Sequence, residues 1–212
     1  MNRMVSSAEG KRVRKSPVER RAEIVAAAAA IGLDEGLECI TLRRVAEELG
    51  VRPGLIGHYF PVAEDLVSEA FASAAAGERD DLLPPGDEGA DPLERMRRLI
   101  ARLDETSPSP LDRLWLNARH LSRLRPALEG AVAHEEETTM RRLTELIADG
   151  VEAGEFSCPD GDAAGAAIRI LVAIDGLGSY ANSATPFTHP IMRALVRETA
   201  ERALGLKPGA LG

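Results

Sequence analysis

The sequence has 212 residues, of which 44% are apolar and 28% are charged, and its formal net charge is −8. A chain of this length and apolar content can bury a sizeable core, which excludes a wholly disordered protein. The longest uninterrupted apolar run, residues 24–33, is far below the roughly 18 residues of a membrane span, and the N-terminus lacks the apolar segment of a secretion signal. We therefore expect a cytoplasmic protein with no membrane partner.

The charges are distributed unevenly along the chain. Residues 1–60 hold 10 Lys and Arg against 8 Asp and Glu, whereas the remaining residues hold 16 against 26. Within the first 21 residues, 7 basic side chains stand against 2 acidic ones. A basic end on an acidic body can approach a phosphate backbone in one orientation, so this asymmetry favours a nucleic-acid partner.

The two cysteines, Cys39 and Cys158, are far apart and lack the CxxC spacing. They make neither a disulfide framework nor a zinc site and are most simply reduced thiols. We expect no metal and no cofactor.

Aromatic residues make up only 3% of the chain, and apolar residues recur at steps of three and four almost throughout. This spacing predicts an all-α protein of about nine helices. We divide it into a basic flexible arm at 1–16, a three-helix helix-turn-helix domain at 17–62 and a larger helical ligand-binding and dimerisation domain at 63–208.

The predicted helices follow from their caps and breaks. The first runs over 17–35, the second over 42–49 after the N-cap Thr41, and the third from Pro53 until Pro61 closes it. The fourth is expected at 63–76 and the fifth from Leu93. The sixth ends before Pro126, and the last three are expected at about 127–153, 162–182 and 189–206.

The segment TLRRVAEELGVRPGLIGHYF, residues 41–60, carries the clearest motif. Two short helices joined by a turn of about three residues, with glycine at the corner, form a helix-turn-helix unit whose second helix enters the major groove. Apolar residues are expected to lock the two helices together and onto the first helix: Val45, Ala46, Leu49, Val51, Ile56 and Phe60.

The residues of this segment that do not face the core are expected to contact DNA. Arginine can pair with guanine or phosphate, His and Tyr can donate to phosphate, and Leu can meet a thymine methyl group. The candidate DNA-binding residues are Thr41, Arg43, Arg44, Arg52, Pro53, Leu55, His58 and Tyr59. Three alternatives stay open: Arg43 and Arg44 form a solvated face, Thr41 acts only as a cap, and Tyr59 only packs.

The apolar and glycine pattern from Arg20 to Leu66 resembles the TetR/AcrR family of transcription regulators. The sequence GLIGHYF, together with IDGLGSYAN at 174–182, resembles the corresponding segments of the BetI-like branch, which regulates choline and betaine genes. The resemblance implies that helices one to three bind DNA, helix four links, and helices five to nine bind ligand and dimerise. Two positions depart from the family: Arg52 stands where many members have Ser or Thr, and Ala63 where many have Lys.

Helix eight is predicted to be apolar on nearly every side, so it needs cover on two sides. The resemblance implies that helices eight and nine pair two copies into a homodimer on a palindromic operator. Asp175 lies within this apolar helix and needs a partner, which is either an arginine or hydroxyl of the fold or a cationic ligand.

A pocket for an unknown small-molecule effector is expected among helices five to eight. Aromatic and carboxylate groups there would suit a quaternary ammonium ion, although Trp115 could equally belong to the core. The candidate ligand-binding residues are Met96, Ile100, Trp115, Asn117, His120, Asp175 and Tyr180.

Enzyme motifs are lacking. The run His134-Glu135-Glu136-Glu137 is followed by Thr138, so it is not the HExxH zinc motif, and no nucleotide-binding or nucleophile motif has a fitting context. We conclude that the chain is not an enzyme but a sequence-specific transcriptional regulator, expected to be a repressor that a ligand releases from DNA. The alternative is a helical metal-sensing or protein-interaction module, with His120 and His134 as candidate metal ligands.

Overall fold

The structure is a computed structural model that describes residues 15–86, 90–106, 109–184, 189 and 191–212. Within these ranges the chain forms nine α-helices and one short 3-10 helix, Leu37–Cys39, and no strand, which confirms the predicted all-α class. The α-helices are α1 Pro17–Glu35, α2 Leu42–Leu49, α3 Pro53–Tyr59, α4 Ala63–Leu82, α5 Pro92–Thr106, α6 Pro110–Ser122, α7 Pro126–Glu152, α8 Ala163–Ala181 and α9 Ile191–Ala203. Most of the basic arm predicted at 1–16 lies outside the described residues.

Local capping explains where several helices begin. The Ser16 hydroxyl accepts a hydrogen bond from the Glu19 backbone N–H while the Glu19 side chain accepts one from the Ser16 backbone, which makes a reciprocal capping box before Pro17. Thr41 caps α2 through the backbone N–H of Arg44, as predicted. The predicted bounds of α1 and α2 are confirmed.

The prediction for α4 was wrong at its C-terminus, which lies at Leu82 instead of residue 76. Gly77 continues the helix instead of ending it, and the apolar spacing runs on through Ala75 to the buried Leu83. The extra turns carry Glu78 and Arg79.

The buried residues form two clusters. The first is built from α1 to α4 and also contains Leu114 and Ala118 of α6 and Leu128 and Val132 of α7. The second joins α5, α8, α9 and the C-terminal half of α7, and the segment after α9 completes it with the buried Leu211. Residues of α6 and α7 thus belong to the core of the N-terminal helices, and α7 contributes to both clusters.

Two glycines of α7 give a matched test of this packing. A Cβ added at Gly150 would lie 2.2 Å from the ring of Phe156, whereas one added at Gly130 would meet nothing within 4 Å. Gly150→Ala is therefore expected to cost about 3 kcal/mol or more through overpacking, and Gly130→Ala to stabilise the helix by roughly 0.5–1 kcal/mol. Urea unfolding of both variants checks this. Equal effects of the two changes would contradict the packing described for α7.

Candidate nucleic-acid interface and ligand cavity

The helix-turn-helix is formed as the sequence predicts. Val45, Ala46, Ile56 and Phe60 are buried in the first core, and Leu49 and Val51 pack against it. Gly50 adopts the left-handed conformation at the end of α2, with φ +62°, which is the backbone geometry that glycine adopts without strain. The turn therefore positions α3 on one face of α2.

The N-terminal end and outer side of α3 are exposed. Arg52, Pro53 and His58 are exposed, while Leu55 and Tyr59 are half-buried. The rings of His58 and Tyr59 meet edge to face at 5.4 Å, and Tyr59 also packs against the first core. Tyr59 is thus both a packing residue and a surface residue.

The arginines of this surface differ in their partners. Arg43 pairs with Glu47 at 2.8 Å, and Arg44 pairs with Glu35 at 2.6 Å and with Glu48 at 2.8 Å. Arg52, at the N-cap of α3, forms no ion pair within the described part of the chain. Its charge is therefore the least compensated of the three candidate arginines.

A cavity of about 290 Å³ lies between α4 and α6 to α8, with further lining from α5 and α9. Its apolar wall includes Leu99, Leu103, Met140, Ile168, Leu171 and Val172. Its charged lining consists of four carboxylates and two guanidinium groups: Glu78, Asp112, Glu136, Asp175, Arg79 and Arg119. An apolar cavity with a few convergent polar groups is the usual form of a small-molecule site.

Trp115 is one of the residues that line the cavity. Its indole Nε1 donates a hydrogen bond of 3.0 Å to Glu78 Oε2, and its ring meets that of Phe71 at 90° with 4.9 Å between centroids. The pKa of Glu78 is raised to about 7, chiefly by burial and also by the charges of Asp112 and Asp175, against the hydrogen bond from Trp115. Burial likewise raises the pKa of Asp112. A positive charge in the cavity would stabilise the ionised form of both carboxyl groups.

The raised pKa of Glu78 makes the stability of the protein depend on pH. In the unfolded chain the carboxyl ionises near its ordinary pKa of 4.5, whereas the folded protein keeps the proton until about pH 7. Since the folded state then holds more protons between these values, its stability falls as pH rises through that window. Glu78→Gln, which mimics the protonated form, is expected to raise the free energy of unfolding at pH 8 by about 3 kcal/mol and at pH 5 by less than about 1 kcal/mol.

Urea titrations of the wild-type protein and the variant from pH 5 to 8 measure this difference. Glu145→Gln is the control, because Glu145 is exposed on α7 and its one ion pair among the described residues is with Arg141, one turn away. A gain from Glu78→Gln that is the same at every pH would contradict the raised pKa.

The two cavity arginines have different surroundings. Arg79 is buried and pairs with the buried Glu135 of α7, so α4 and α7 are tied together beside the cavity. Arg119 donates to Glu136 at 2.7 Å and to Asp175 at 2.8 Å. Asp175 therefore has the arginine partner that was one of its two predicted interactions, but its side chain is 47% exposed and not enclosed by the helix packing.

The structure brings Trp115 and Asp175 to the cavity and places the other predicted ligand residues elsewhere. Met96 and Ile100 are fully buried in the second core. Asn117 faces the 3-10 helix, where it accepts from the Leu37 N–H and donates to Glu38. His120 and Tyr180 are exposed, the latter by 51%. None of these five residues lines the cavity.

Sequence reasoning missed Glu78, Asp112 and Arg119. Glu78 lay beyond the predicted end of α4. Asp112 forms a capping box with Ser109, a local role that gives no sign of its position at the cavity. The one available signal was the spacing of Trp115 and Arg119, which are four residues apart and so share a face of α6.

The outer face of α8 is apolar and exposed. Ile168 and Val172 are 50% and 65% exposed, although both also border the cavity. By length and composition alone α8 could span a membrane, a test that core helices of soluble proteins also pass. The residues that the structure describes therefore leave part of this apolar face uncovered.

Among the residues that the structure describes, no three His, Cys, Asp or Glu side chains converge in a way that could hold a metal ion.

The known proteins that this chain resembles in sequence are transcription regulators. Residues 90–205 match the family model described as the C-terminal domain of BetI-type transcriptional repressors. The regulator BetI of Rhizobium meliloti (strain 1021) is 31% identical over 175 residues, which cover 78% of this chain and 79% of that protein. The repressor KstR of Rhodococcus jostii (strain RHA1) is 34% identical over 85 residues, 40% of this chain and 39% of that one.

Solved structures share the fold. A transcriptional regulator from Saccharomonospora viridis in complex with choline superposes with a TM-score of 0.67 at 25% identity, covering 87% of this chain and 96% of that chain. A TetR-family regulator from a Rhodococcus species superposes with a TM-score of 0.72 at 20% identity, covering 88% and 99%. The helix-turn-helix, the helical body with its cavity and these relatives agree: the chain belongs to the BetI-type transcriptional repressors of the TetR family, and is a DNA-binding regulator and not an enzyme.

Proposed function

We propose that this chain binds a palindromic operator as a cytoplasmic homodimer and leaves the DNA when a small organic cation enters the cavity. The observation that supports this class of effector is the charged lining of the cavity. Carboxylates on α4, α6 and α8 line the same cavity as Trp115, and that of Glu78 accepts a hydrogen bond from its indole. Aromatic faces and carboxylates together are the groups that bind quaternary ammonium ions. The choline complex of the Saccharomonospora viridis regulator supports the same class of effector.

The DNA contacts are proposed on α2 and α3, which makes residues 17–62 the DNA-binding domain. Arg52 and the hydroxyl of Tyr59 reach phosphates, with Thr41, Arg43 and His58 at the margins. Arg44 is the least available candidate because two carboxylates already compensate its charge. Pro53 and Leu55 lie beside the groove, and Gly54, whose Cβ would meet no atom of the chain within 4 Å, lets the backbone approach closely.

The homodimer is proposed to form through α8 and α9. The exposed Ile168 and Val172 of α8 and Ile191 of α9 supply the apolar surface that such a contact would bury. A second copy explains this surface better than a bilayer does, because Arg169 and Asp175 of the same helix would have to enter the hydrocarbon. Pairing through this face would place two copies of α3 on two half-sites.

Release from DNA is proposed to act through α4. This helix begins four residues after α3 ends, packs its Leu66, Val67 and Phe71 into the N-terminal core, and carries Glu78 into the cavity. A cation that attracts Glu78 and Asp175 would shift α4 against α7 and α8. The shift would change the separation of the paired α3 helices, so that they no longer fit successive major grooves.

Choline and its uncharged analogue 3,3-dimethylbutan-1-ol separate a cation effector from a merely apolar one. Trp115 is the only tryptophan of the chain, so intrinsic fluorescence reports on the cavity directly. We expect saturable quenching or enhancement by choline, with an affinity that increases from pH 6 to 8 as Glu78 ionises, and a weaker response to the alcohol. An equal response to both compounds, or none to choline, would contradict a cation effector.

A further inference from the structure

Arg119 holds the position over Trp115 that a bound cation would prefer. Its guanidinium carbon lies 5.1 Å from the centroid of the indole ring, within the range of a cation–π contact. The same group donates to Asp175 at 2.8 Å and to Glu136 at 2.7 Å. An aromatic face with carboxylates at its edge is thus already occupied by a cation of the chain itself.

The surrounding charges make Arg119 the main counter-ion of the cavity. The other guanidinium of the lining, that of Arg79, is paired with the buried Glu135. Arg119 is left to balance Glu78 of α4, Asp112 of α6, Glu136 of α7 and Asp175 of α8. Burial lowers the pKa of Arg119, but its hydrogen bonds to Glu136 and Asp175 and their charges raise it by more, so the group stays charged.

We propose that Arg119 is an internal competitor for the effector, and that a cationic ligand binds by displacing its guanidinium from Trp115 and Asp175. The proposal deepens the effector site argued above and rests on it. A second positive charge placed beside Arg119 would be repelled by it, whereas the four carboxylates could hold either cation alone.

The side chain has a path out of the site. Arg119 is 34% exposed, and Asp175 and Glu136 are 47% and 45% exposed, so the three groups lie at the mouth of the cavity and not in its interior. A displaced guanidinium would move into water without breaking the core. Its departure would also free Glu136 and Asp175, which lie on α7 and α8, from their common partner. Arg119 would in this way determine both the preference of the cavity for cations and the effector concentration at which the protein leaves the DNA.

Calorimetric titration with tetramethylammonium chloride tests the competition. Arg119→Met keeps the length of the stem and removes the charge, and we expect it to bind tetramethylammonium at least 10-fold more tightly than the wild-type protein does. Arg119→Lys keeps a competing charge and is expected to remain within about 3-fold of wild type. Arg123→Met is the matched control, since Arg123 lies one turn further on, exposed and outside the cavity lining, and is expected to change nothing.

Circular dichroism and the thermal midpoint confirm that each variant is folded before titration. If the wild-type protein binds tetramethylammonium and Arg119→Met binds it no more tightly, the competition is overturned and the proposed effector class stands. An equal gain of affinity in Arg119→Lys would also overturn the competition, because the added space and not the lost charge would then explain the tighter binding. Absence of binding to every variant would overturn both proposals. Binding to Arg119→Met alone would support the competition and contradict simple tetraalkylammonium ions as effectors of the wild-type protein.

Discussion

Replacing Glu135 with leucine is expected to lower the free energy of unfolding by about 3 to 5 kcal/mol, because it leaves a buried arginine without its counter-charge. Glu135 and Arg79 are both more than nine-tenths buried, and they join α7 to α4. Arg79 Nε is buried without a hydrogen-bond partner among the described residues. Its second carboxylate neighbour, Asp80, lies 3.8 Å away, is half exposed and already pairs with Arg142, so it compensates Arg79 only weakly. The pair is therefore a point where a single change has a large effect.

The double variant Arg79→Met, Glu135→Leu distinguishes a lost charge partner from lost packing. Replacing both members of a buried ion pair with apolar residues of similar volume is often neutral or stabilising. We expect the double variant to recover most of the stability that Glu135→Leu loses, as measured by urea unfolding of all four proteins in a mutant cycle. A double variant as unstable as the single one would contradict the assignment of Arg79 as an uncompensated charge.

Arg52→Ala is expected to weaken binding to operator DNA about 10- to 100-fold and to reduce the slope of log affinity against log salt by about 1. Arg52 is exposed at the start of α3 and forms no ion pair among the described residues. Arg141→Ala on α7 is the control, because it removes the same charge from an exposed side chain whose one ion pair, within the part of the chain that the structure describes, is with Glu145. Fluorescence anisotropy at several salt concentrations measures both quantities. An equal loss in the two variants would mean that only overall charge matters and would contradict a contact by Arg52.

Local patterns were enough to predict the N-terminal helices. The cap Thr41, the corner Gly50 and the helix-starting Pro53 act within a few residues of themselves, so the sequence specifies α2, the turn and α3 without knowledge of the rest of the fold. The buried side of the motif was predictable for the same reason, since apolar spacing on a short helix decides which face is covered.

The cavity could not be predicted in this way because its residues come from several helices. Met96 and Ile100 have the same apolar spacing as residues that line the cavity, yet the packing of α5 turns them into the second core. The role of Glu78 depended on the extra turns of α4, which lie beyond the predicted end of that helix at residue 76. Only the packing of α4, α6, α7 and α8 against one another brings Trp115 and four carboxylates to the same cavity.

Binding of the purified protein to the DNA upstream of its own gene, followed by anisotropy with and without choline, tests the central claim most directly. The account predicts sequence-dependent binding that weakens steeply with salt and is reversed by choline but not by 3,3-dimethylbutan-1-ol. Equal affinity for the upstream DNA and for random DNA of the same length, or a specific complex that choline leaves unchanged, would contradict a repressor that a cation releases.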